Sequence, residues 1–276
     1  MLSNPKKDTE FRLHNNRLCL FHKASDHIDY WKEYWEHGAV SGDGAPTRSS
    51  HLLEFNDLFN KYISPKDERI VLEAGCGSGM YVNAFHSRGN KVVGIDYEAQ
   101  VINKLKHQFP DIDYRHGNIL DLQFENNSIG HYVSLGVLEH FEDGAIQHKA
   151  FEEAYRVVNK DGLAFISVPY LNPARNRHLQ QIAKQENGNN DYNFHQYYYS
   201  VNDFSALLRR HGFEVIETFG YSCQAFLNRE VPFFRWSSSK MPWRIKNELN
   251  KFLNNTKSDF IRNQYAHMMM YVCKKH

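Results

Sequence analysis

Residues 73–79 read Glu-Ala-Gly-Cys-Gly-Ser-Gly and come directly after the apolar run Ile70-Val71-Leu72. Three glycines at alternate positions remove the side chains that would hold a ligand away from the backbone. The helical pattern beyond them, Met80 to Ser87, would present unpaired N–H groups and a positive dipole end. Spacing separates the candidate ligands. The dinucleotide fingerprint G-x-G-x-x-G needs glycine at its sixth position, where this chain has Met80, its third glycine coming one residue early. A phosphate-cradling loop would need Gly-Lys-Ser/Thr, which is missing. Asp96 ends the next β-branched run, 21 residues beyond Gly75. An acidic residue there can accept both hydroxyls of a ribose. The residues therefore point to an adenosine-type ligand that lacks a pyrophosphate.

Two histidines are candidate general bases. His140 lies in Ser134-Leu135-Gly136-Val137-Leu138-Glu139-His140-Phe141, and His195 stands just ahead of Tyr197-Tyr198-Tyr199. Removing the proton of a hydroxyl or catechol near neutrality suits an imidazole. Against this stands the commoner fate of histidines, a structural or surface role. Cys19, Cys76, Cys223 and Cys273 form no CxxC pair, and no paired histidine spacing accompanies Glu139-His140. No metal site and no disulfide framework are expected.

The elements that must position these groups alternate from about residue 69 to 220. After the first strand and its helix, Lys91 to Ile95 reads as a second strand, and Glu98 to Gln108 as a helix carrying Val101, Ile102 and Leu105 on one face. Ile112 to Arg115 and His131 to Leu135 read as strands. Ile146, Ala150, Phe151, Ala154, Val157 and Val158 form a helical stripe, and Asp161-Gly162 turns into a strand over Leu163 to Val168. Ser200 with Asp203 opens a helix that Gly212 ends; Glu214 to Thr218 and Met268 to Cys273 are the last strand candidates. Such alternation implies βαβ units and a mainly parallel sheet covered on both faces, with ligands at the carboxyl ends of its strands.

Composition agrees with a packed enzyme-sized α/β chain. There are 276 residues, 41% of them hydrophobic, with 33 Lys+Arg against 32 Asp+Glu and a net charge of +1. That balance argues against a surface built wholly for nucleic acid. No apolar run reaches the length of a membrane span, and the N-terminal residues are polar from the start, so a soluble, cytoplasmic protein is expected.

With these motifs in order, the chain resembles the class I S-adenosylmethionine-dependent methyltransferases, of the branch that contains quinone-biosynthesis and small-molecule enzymes. The resemblance runs over residues 68–220 and the final strand. It implies a doubly wound, mainly parallel seven-stranded sheet and S-adenosyl-L-methionine as cofactor. By that resemblance Gly75, Cys76, Gly77 and Gly79 border the methionine part, with Glu73 beneath them. Asp96 holds the ribose, with Tyr97 after it, and Leu135 lies at the end of the fourth strand. Asn118, in Gly117-Asn118-Ile119-Leu120-Asp121-Leu122, meets the adenine amino group through its carbonyl oxygen, and Ile119 meets the ring through its backbone. The family often has Asp in place of Asn118. Some relatives bind a divalent ion through E-x-x-E-H, but here Gly136 stands where the first Glu would be.

Three additions surround this core. Residues 1–68 read as a helical extension or lid with Tyr30, Trp31, Tyr34 and Trp35, a Gly-rich loop and a helix from His51 to Ile63; the tryptophans would cover the cofactor. Residues 171–199 read as polar and loop-like. Residues 222–266 carry eight Lys/Arg against three Asp/Glu among aromatics, with Ile245, Leu249, Phe252 and Leu253 on one helical face. Within the core 69–276, segments 171–199 and 222–266 would shape the pocket of a small-molecule acceptor, through Tyr197, Tyr198, Tyr199, Arg235 and Trp236. The acceptor atom expected first is oxygen, then nitrogen, then carbon. The basic segment suits an anionic or carrier-linked acceptor, or transient contact with a membrane surface. The rival readings are a cofactor-binding regulatory or assembly protein without turnover, and a nucleic-acid methyltransferase. The second is disfavoured by the near-zero charge and by the lack of an Asn/Asp-Pro-Pro-Tyr/Phe motif after the fourth strand.

Overall fold

The computed structural model describes residues 9–23, 56–182, 192–231, 233–234, 240–254 and 258–276. Tyr30, Trp31, Tyr34, Trp35, Arg235 and Trp236 lie outside them.

The chain enters through a hairpin, β1 (Thr9–His14) and β2 (Arg17–Lys23), paired antiparallel. Asn15 and Asn16, both at positive φ (50° and 59°), make the two-residue turn that matches strand twist. This corrects the expectation of a helical extension for residues 9–23. The Asn-Asn pair between two apolar runs was the signal. Helix α1 (Asn56–Tyr62) comes next, within the stretch read as helix.

The core alternates as expected: β3 (Val71–Ala74), α2 (Met80–Ser87), β4 (Val92–Asp96), α3 (Ala99–Gln108), β5 (Asp113–His116), β6 (Ile129–Leu135), α4 (Gly144–Val157) and β7 (Val158–Pro169). The remaining elements are α5 (Pro173–Ile182), β8 (Tyr192–Tyr197), α6 (Val201–Arg210), β9 (Phe213–Tyr221), α7 (Cys223–Glu230), α8 (Trp243–Asn254), α9 (Asp259–Tyr265) and β10 (Met268–Lys275). The main sheet has seven strands in the order β5-β4-β3-β6-β7-β10-β9, and β10 runs antiparallel to both its neighbours. Strand order reverses beside β3, which lies between β4 and β6. The carboxyl ends of these three strands therefore open the crevice in which α/β sheets bind ligands.

Local chemistry explains the details. Ser200 caps α6 by accepting from the Asp203 N–H at 3.1 Å, and Gly212 stops it at φ 83°. The Asp161-Gly162 turn lies inside β7 as an irregularity, where the ladder with β6 passes from Ile129↔Val158 to His131↔Leu163. Within 171–199 the described residues, 171–182 and 192–199, are largely regular structure where a loop was expected. Asn172 accepts from the Arg175 N–H at 2.9 Å and starts α5 with Pro173 at its first position, and β8 adds to β2 as the third strand of a small antiparallel sheet.

Two apolar layers cover the main sheet. One joins Leu72, Ile95, Tyr132, Phe151, Ile166 and Tyr271 to Tyr197 and Tyr199; the other joins Val71, Phe85, Ile102, Val133 and Phe165.

Candidate functional site

The glycine loop closes on itself. The N–H groups of Gly75 and Cys76 both donate to the Ile95 carbonyl at 2.8 Å, Gly79 donates to Cys76 at 2.8 Å, and Gly77 donates to Asp96 Oδ2 at 2.8 Å. The helix beyond is met by the chain's own acid: Val82 N–H donates to Glu73 Oε2 at 2.9 Å. An anion nest needs backbone donors turned toward a ligand. Here these donors are engaged internally and two carboxyl groups line the turn. The loop is unsuited to a pyrophosphate and suited to a nucleoside carrying positive charge.

Two of the glycines are demanded by packing. A Cβ on Gly75, at φ 81°, would lie 2.5 Å from Val137 Cγ2, and one on Gly79, at φ 70°, would lie 2.5 Å from the Tyr114 hydroxyl. Tyr114 and Asn83 brace the helix start: Asn83 Nδ2 donates to the Gly79 carbonyl at 2.8 Å and to Tyr114 Oη at 2.9 Å.

Asp96 ends β4 and is buried. Its Oδ1 accepts from the Glu98 N–H at 3.0 Å, while Oδ2 holds Gly77. A carboxylate has about four acceptor positions, so two remain for hydroxyls. Glu73 is buried, and desolvation, with the neighbouring Asp96 charge, pushes its carboxyl up to about 8 despite the Val82 hydrogen bond. Burial likewise raises the Cys76 thiol, so Cys76 contributes backbone and bulk rather than a thiolate.

Across the crevice Asn118 is exposed and Ile119 buried. Asn118 Oδ1 accepts from the Leu120 N–H at 2.9 Å, so one lone pair of the amide oxygen is already used in shaping this turn. Tyr97 is 69% exposed, and its carbonyl meets His116 Nε2 at 2.9 Å. Leu135 is half-buried at the end of β6.

Beyond β6 the structure brings together the two candidate bases. His140 Nδ1 donates to the His195 carbonyl at 2.7 Å, their rings lie 4.9 Å apart, and His195 lies 4.1 Å from His22 of the hairpin. A carbonyl can only accept, so Nδ1 carries the proton and Nε2 the lone pair. Burial, with His22 nearby, lowers the His140 pKa to about 4, so the ring is neutral at pH 7. Glu139, which the sequence sets aside as a metal ligand, is 2% exposed; desolvation raises it to about 8, and Oε2 has no hydrogen-bond partner among the described residues. Its Oε1 lies 3.4 Å from the position a Cβ on Gly136 would take. Burial of this carboxyl is a tertiary effect that a single sequence does not signal.

The tyrosines correct another expectation. Tyr197, Tyr198 and Tyr199 are 3%, 2% and 2% exposed. Tyr197 Oη donates to the Glu142 carbonyl at 3.1 Å, and Tyr199 Oη accepts from Gln147 at 2.8 Å. Tyr198 covers one face of the Arg175 guanidinium at 4.5 Å. Their burial gives them packing roles, where acceptor contacts were expected. Among the described residues no group of three or more His, Cys, Asp or Glu is placed to hold a metal ion.

Residues 72–166 match the family described as "Methyltransferase domain". The "Probable S-adenosylmethionine-dependent methyltransferase" of Mycolicibacterium smegmatis is 30% identical over 155 residues, 55% of this chain and 54% of that one. An uncharacterized methyltransferase of Schizosaccharomyces pombe is 26% identical over 137 residues, 47% of this chain and 53% of that one. The chain thus spans about half the length of the curated relatives it matches. Among solved structures, the PH0226 protein from Pyrococcus horikoshii superposes with a TM-score of 0.57 at 15% identity, covering 88% of this chain and 99% of that one. An S-adenosylmethionine-dependent methyltransferase from Mesorhizobium loti gives 0.54 at 14% identity, covering 82% and 100%. At such identities these likenesses establish the fold, which is the α/β arrangement of the class I methyltransferases.

Proposed function

We propose that the chain is an S-adenosylmethionine-dependent methyltransferase acting on a small-molecule acceptor. The observation that carries this reading is the internally closed glycine loop, its N–H groups held by Ile95, Cys76 and Asp96. The residues present fit the cofactor. Asp96 has acceptor capacity left for two ribose hydroxyls, Ile119 and Leu135 offer apolar walls for the base, and Asn118 keeps one oxygen lone pair for the adenine amino group. The Asp96 carboxylate borders the methionine end, beside the largely protonated carboxyl of Glu73. When bound, S-adenosylmethionine supplies an electrophilic methyl group on a sulfonium.

The chain's own residues orient the acceptor and manage its proton. His140 Nε2, neutral and bearing the lone pair, takes the proton of a hydroxyl acceptor, while the His195 carbonyl fixes the ring through Nδ1. Glu139, protonated below pH of about 8, offers a hydrogen bond from the same wall. An oxygen acceptor is the first choice, with nitrogen and then carbon behind it, because alignment alone supports transfer to those atoms. The basic segment 222–266 favours an anionic or carrier-linked acceptor, and the four free, buried cysteines suit a reducing, cytoplasmic setting.

Calorimetry with S-adenosylmethionine, S-adenosylhomocysteine and NAD tests the binding step. Incubation of a metabolite extract with methyl-labelled cofactor, searched for the labelled product, tests transfer. NAD binding without a response to S-adenosylmethionine ends the proposal. Tight cofactor binding with no labelled product from any acceptor panel makes the chain a cofactor-binding regulatory protein instead.

A further inference from the structure

Charge is distributed unevenly along the chain. Residues 222–266 hold eight Lys/Arg and three Asp/Glu, a surplus of five positive charges in a chain of net charge +1, so the remaining residues hold a surplus of four negative ones. Of the three acids, Glu248 is exposed on α8 itself. Glu230 is fully buried against Arg175, and Asp259 pairs with Arg262 at 2.9 Å.

The same segment exposes apolar side chains. The sequence places Ile245, Leu249, Phe252 and Leu253 on one face of helix α8. Only half of that arc is covered: Leu249 and Leu253 pack with Leu227 of α7 and Ile261 of α9, while Ile245 is 57% and Phe252 58% exposed. Residues seven apart on a helix lie about 20° from one another around its axis. Ile245 and Phe252 therefore form one outward edge of the arc; the position of Glu248, which is exposed, comes next on the polar side, with the positions of Arg244 and Lys251 beyond it. Arg244 is exposed. On α9, which packs on α7 as α8 does, Phe260 is 71% exposed.

We propose that the outward edge of α8, with its Ile245–Phe252 strip and flanking basic residues, docks on the surface of an anionic phospholipid bilayer. An interfacial helix needs an apolar edge that enters the acyl boundary and cations at headgroup level, and α8 offers both side by side. A strand of nucleic acid would call instead for cations along a groove with aromatic faces open for stacking, and Ile245 has no such face. The positive segment meets the membrane while the negative remainder of the chain is repelled from it, which fixes the orientation. Because α7 follows the carboxyl end of β9 and α9 leads directly into β10 beside it, docking would turn the crevice toward the lipid surface.

Co-sedimentation with vesicles of phosphatidylcholine alone, and of phosphatidylcholine with phosphatidylglycerol, tests this without cofactor or acceptor. Failure here leaves the methyl-transfer reading standing, and the reverse also holds. The full chain is expected to bind the anionic vesicles, to lose that binding at high salt, and to bind phosphatidylcholine weakly. Ile245→Ser with Phe252→Ser should lower partitioning roughly tenfold, and Arg244→Glu several-fold. These positions are exposed, so an unchanged circular dichroism spectrum and melting temperature should accompany the loss. No binding to anionic vesicles at low salt overturns the proposal. So does binding that these substitutions leave unchanged, or a concentration-dependent dimer that the same substitutions dissolve in the absence of lipid.

Discussion

Arg175 and Glu230 form an ion pair with 0% side-chain exposure on either partner, 55 residues apart in sequence. All five guanidinium N–H donors are engaged. Nε and Nη2 donate to the two Glu230 oxygens, Nη1 donates to the Tyr170 carbonyl at 2.5 Å and the His267 carbonyl at 2.9 Å, and Nη2 also meets His267 Nδ1 at 2.5 Å. The Tyr198 ring covers one side of the cation and Phe226 lies at 5.2 Å. The pair thereby joins α5 to α7 at the carboxyl end of β7, tying together both segments that surround the crevice. The Arg175 charge holds the Glu230 carboxyl down at about 2 against the burial that would raise it.

Breaking this pair should be expensive and replacing it mild. Arg175→Met or Glu230→Leu alone is expected to destabilise by ~3–5 kcal/mol, since each leaves a buried charge without its partner. The double variant should recover most of that loss. Urea midpoints of the four proteins form the cycle that checks it, and equal losses in single and double variants would show that the surrounding packing dominates.

Asp96→Ala should weaken S-adenosylmethionine binding by ~1–3 kcal/mol through lost hydrogen bonds to a charged group. It should also lower stability, because Gly77 and Glu98 lose the acceptor for their N–H groups. Asp96→Asn separates the two effects. Titration calorimetry on variants that retain a native circular dichroism spectrum reads the binding part alone.

Stability should fall on the alkaline side of neutrality. Glu73 and Glu139 are raised to about 8, so between about 4.5 and 8 the folded state keeps protons that the unfolded chain has lost, and stability declines as pH rises. His140 and His267 are lowered to about 4, by burial and, for His267, also by the Arg175 charge. For them the unfolded chain holds the extra protons, so stability rises from pH 4 to 6.5. The two trends oppose each other between 4.5 and 6.5 and leave a net decline from 6.5 to 8. Urea midpoints across this range measure it, and Glu73→Gln should flatten the alkaline slope.

If His140 is the base, kcat should be controlled by an ionisation near pH 4 rather than 6.5, and the rate should be level through neutrality. His140→Ala should lower kcat by roughly two orders of magnitude with little change in cofactor affinity. A limb at pH 6.5, or an unchanged kcat in the variant, would remove His140 from this role.

Turnover is expected to persist in EDTA, because Gly136 stands where a metal-ligating Glu would be required. Loss of activity restored by magnesium or zinc would show the Glu139-His140 segment to be a metal site.

The glycine loop, α2 and Asp96 are legible in the sequence because their signals are local: a strand, a glycine turn and a helix lie close together along the chain. The features that escape a sequence depend on contacts distant along it. Asn15 Nδ2 meets Tyr197 Oη at 3.3 Å across 182 residues, and the hairpin joins the main-sheet core in burying the tyrosines. His140 and His195 each stand out as a candidate base, yet their hydrogen bond spans 55 residues and no periodicity announces it. For α5 the signal is present in Asn172-Pro173 but is masked by the polar composition of the helix itself.

The position of β10 sets an order on the birth of the sheet. Among the described residues β9 pairs only with β10, and β10 takes its other edge from β7, so during synthesis β9 waits for this partner until residues 268–275 emerge. Lys275 then fastens the join, its ammonium donating to the carbonyls of Tyr155 at 2.7 Å and Val158 at 2.9 Å. A ribosome stalled or terminated before Met268 would release a chain short of two strands rather than one. It would present the open edge of β7 to its neighbours, the kind of edge on which chains aggregate.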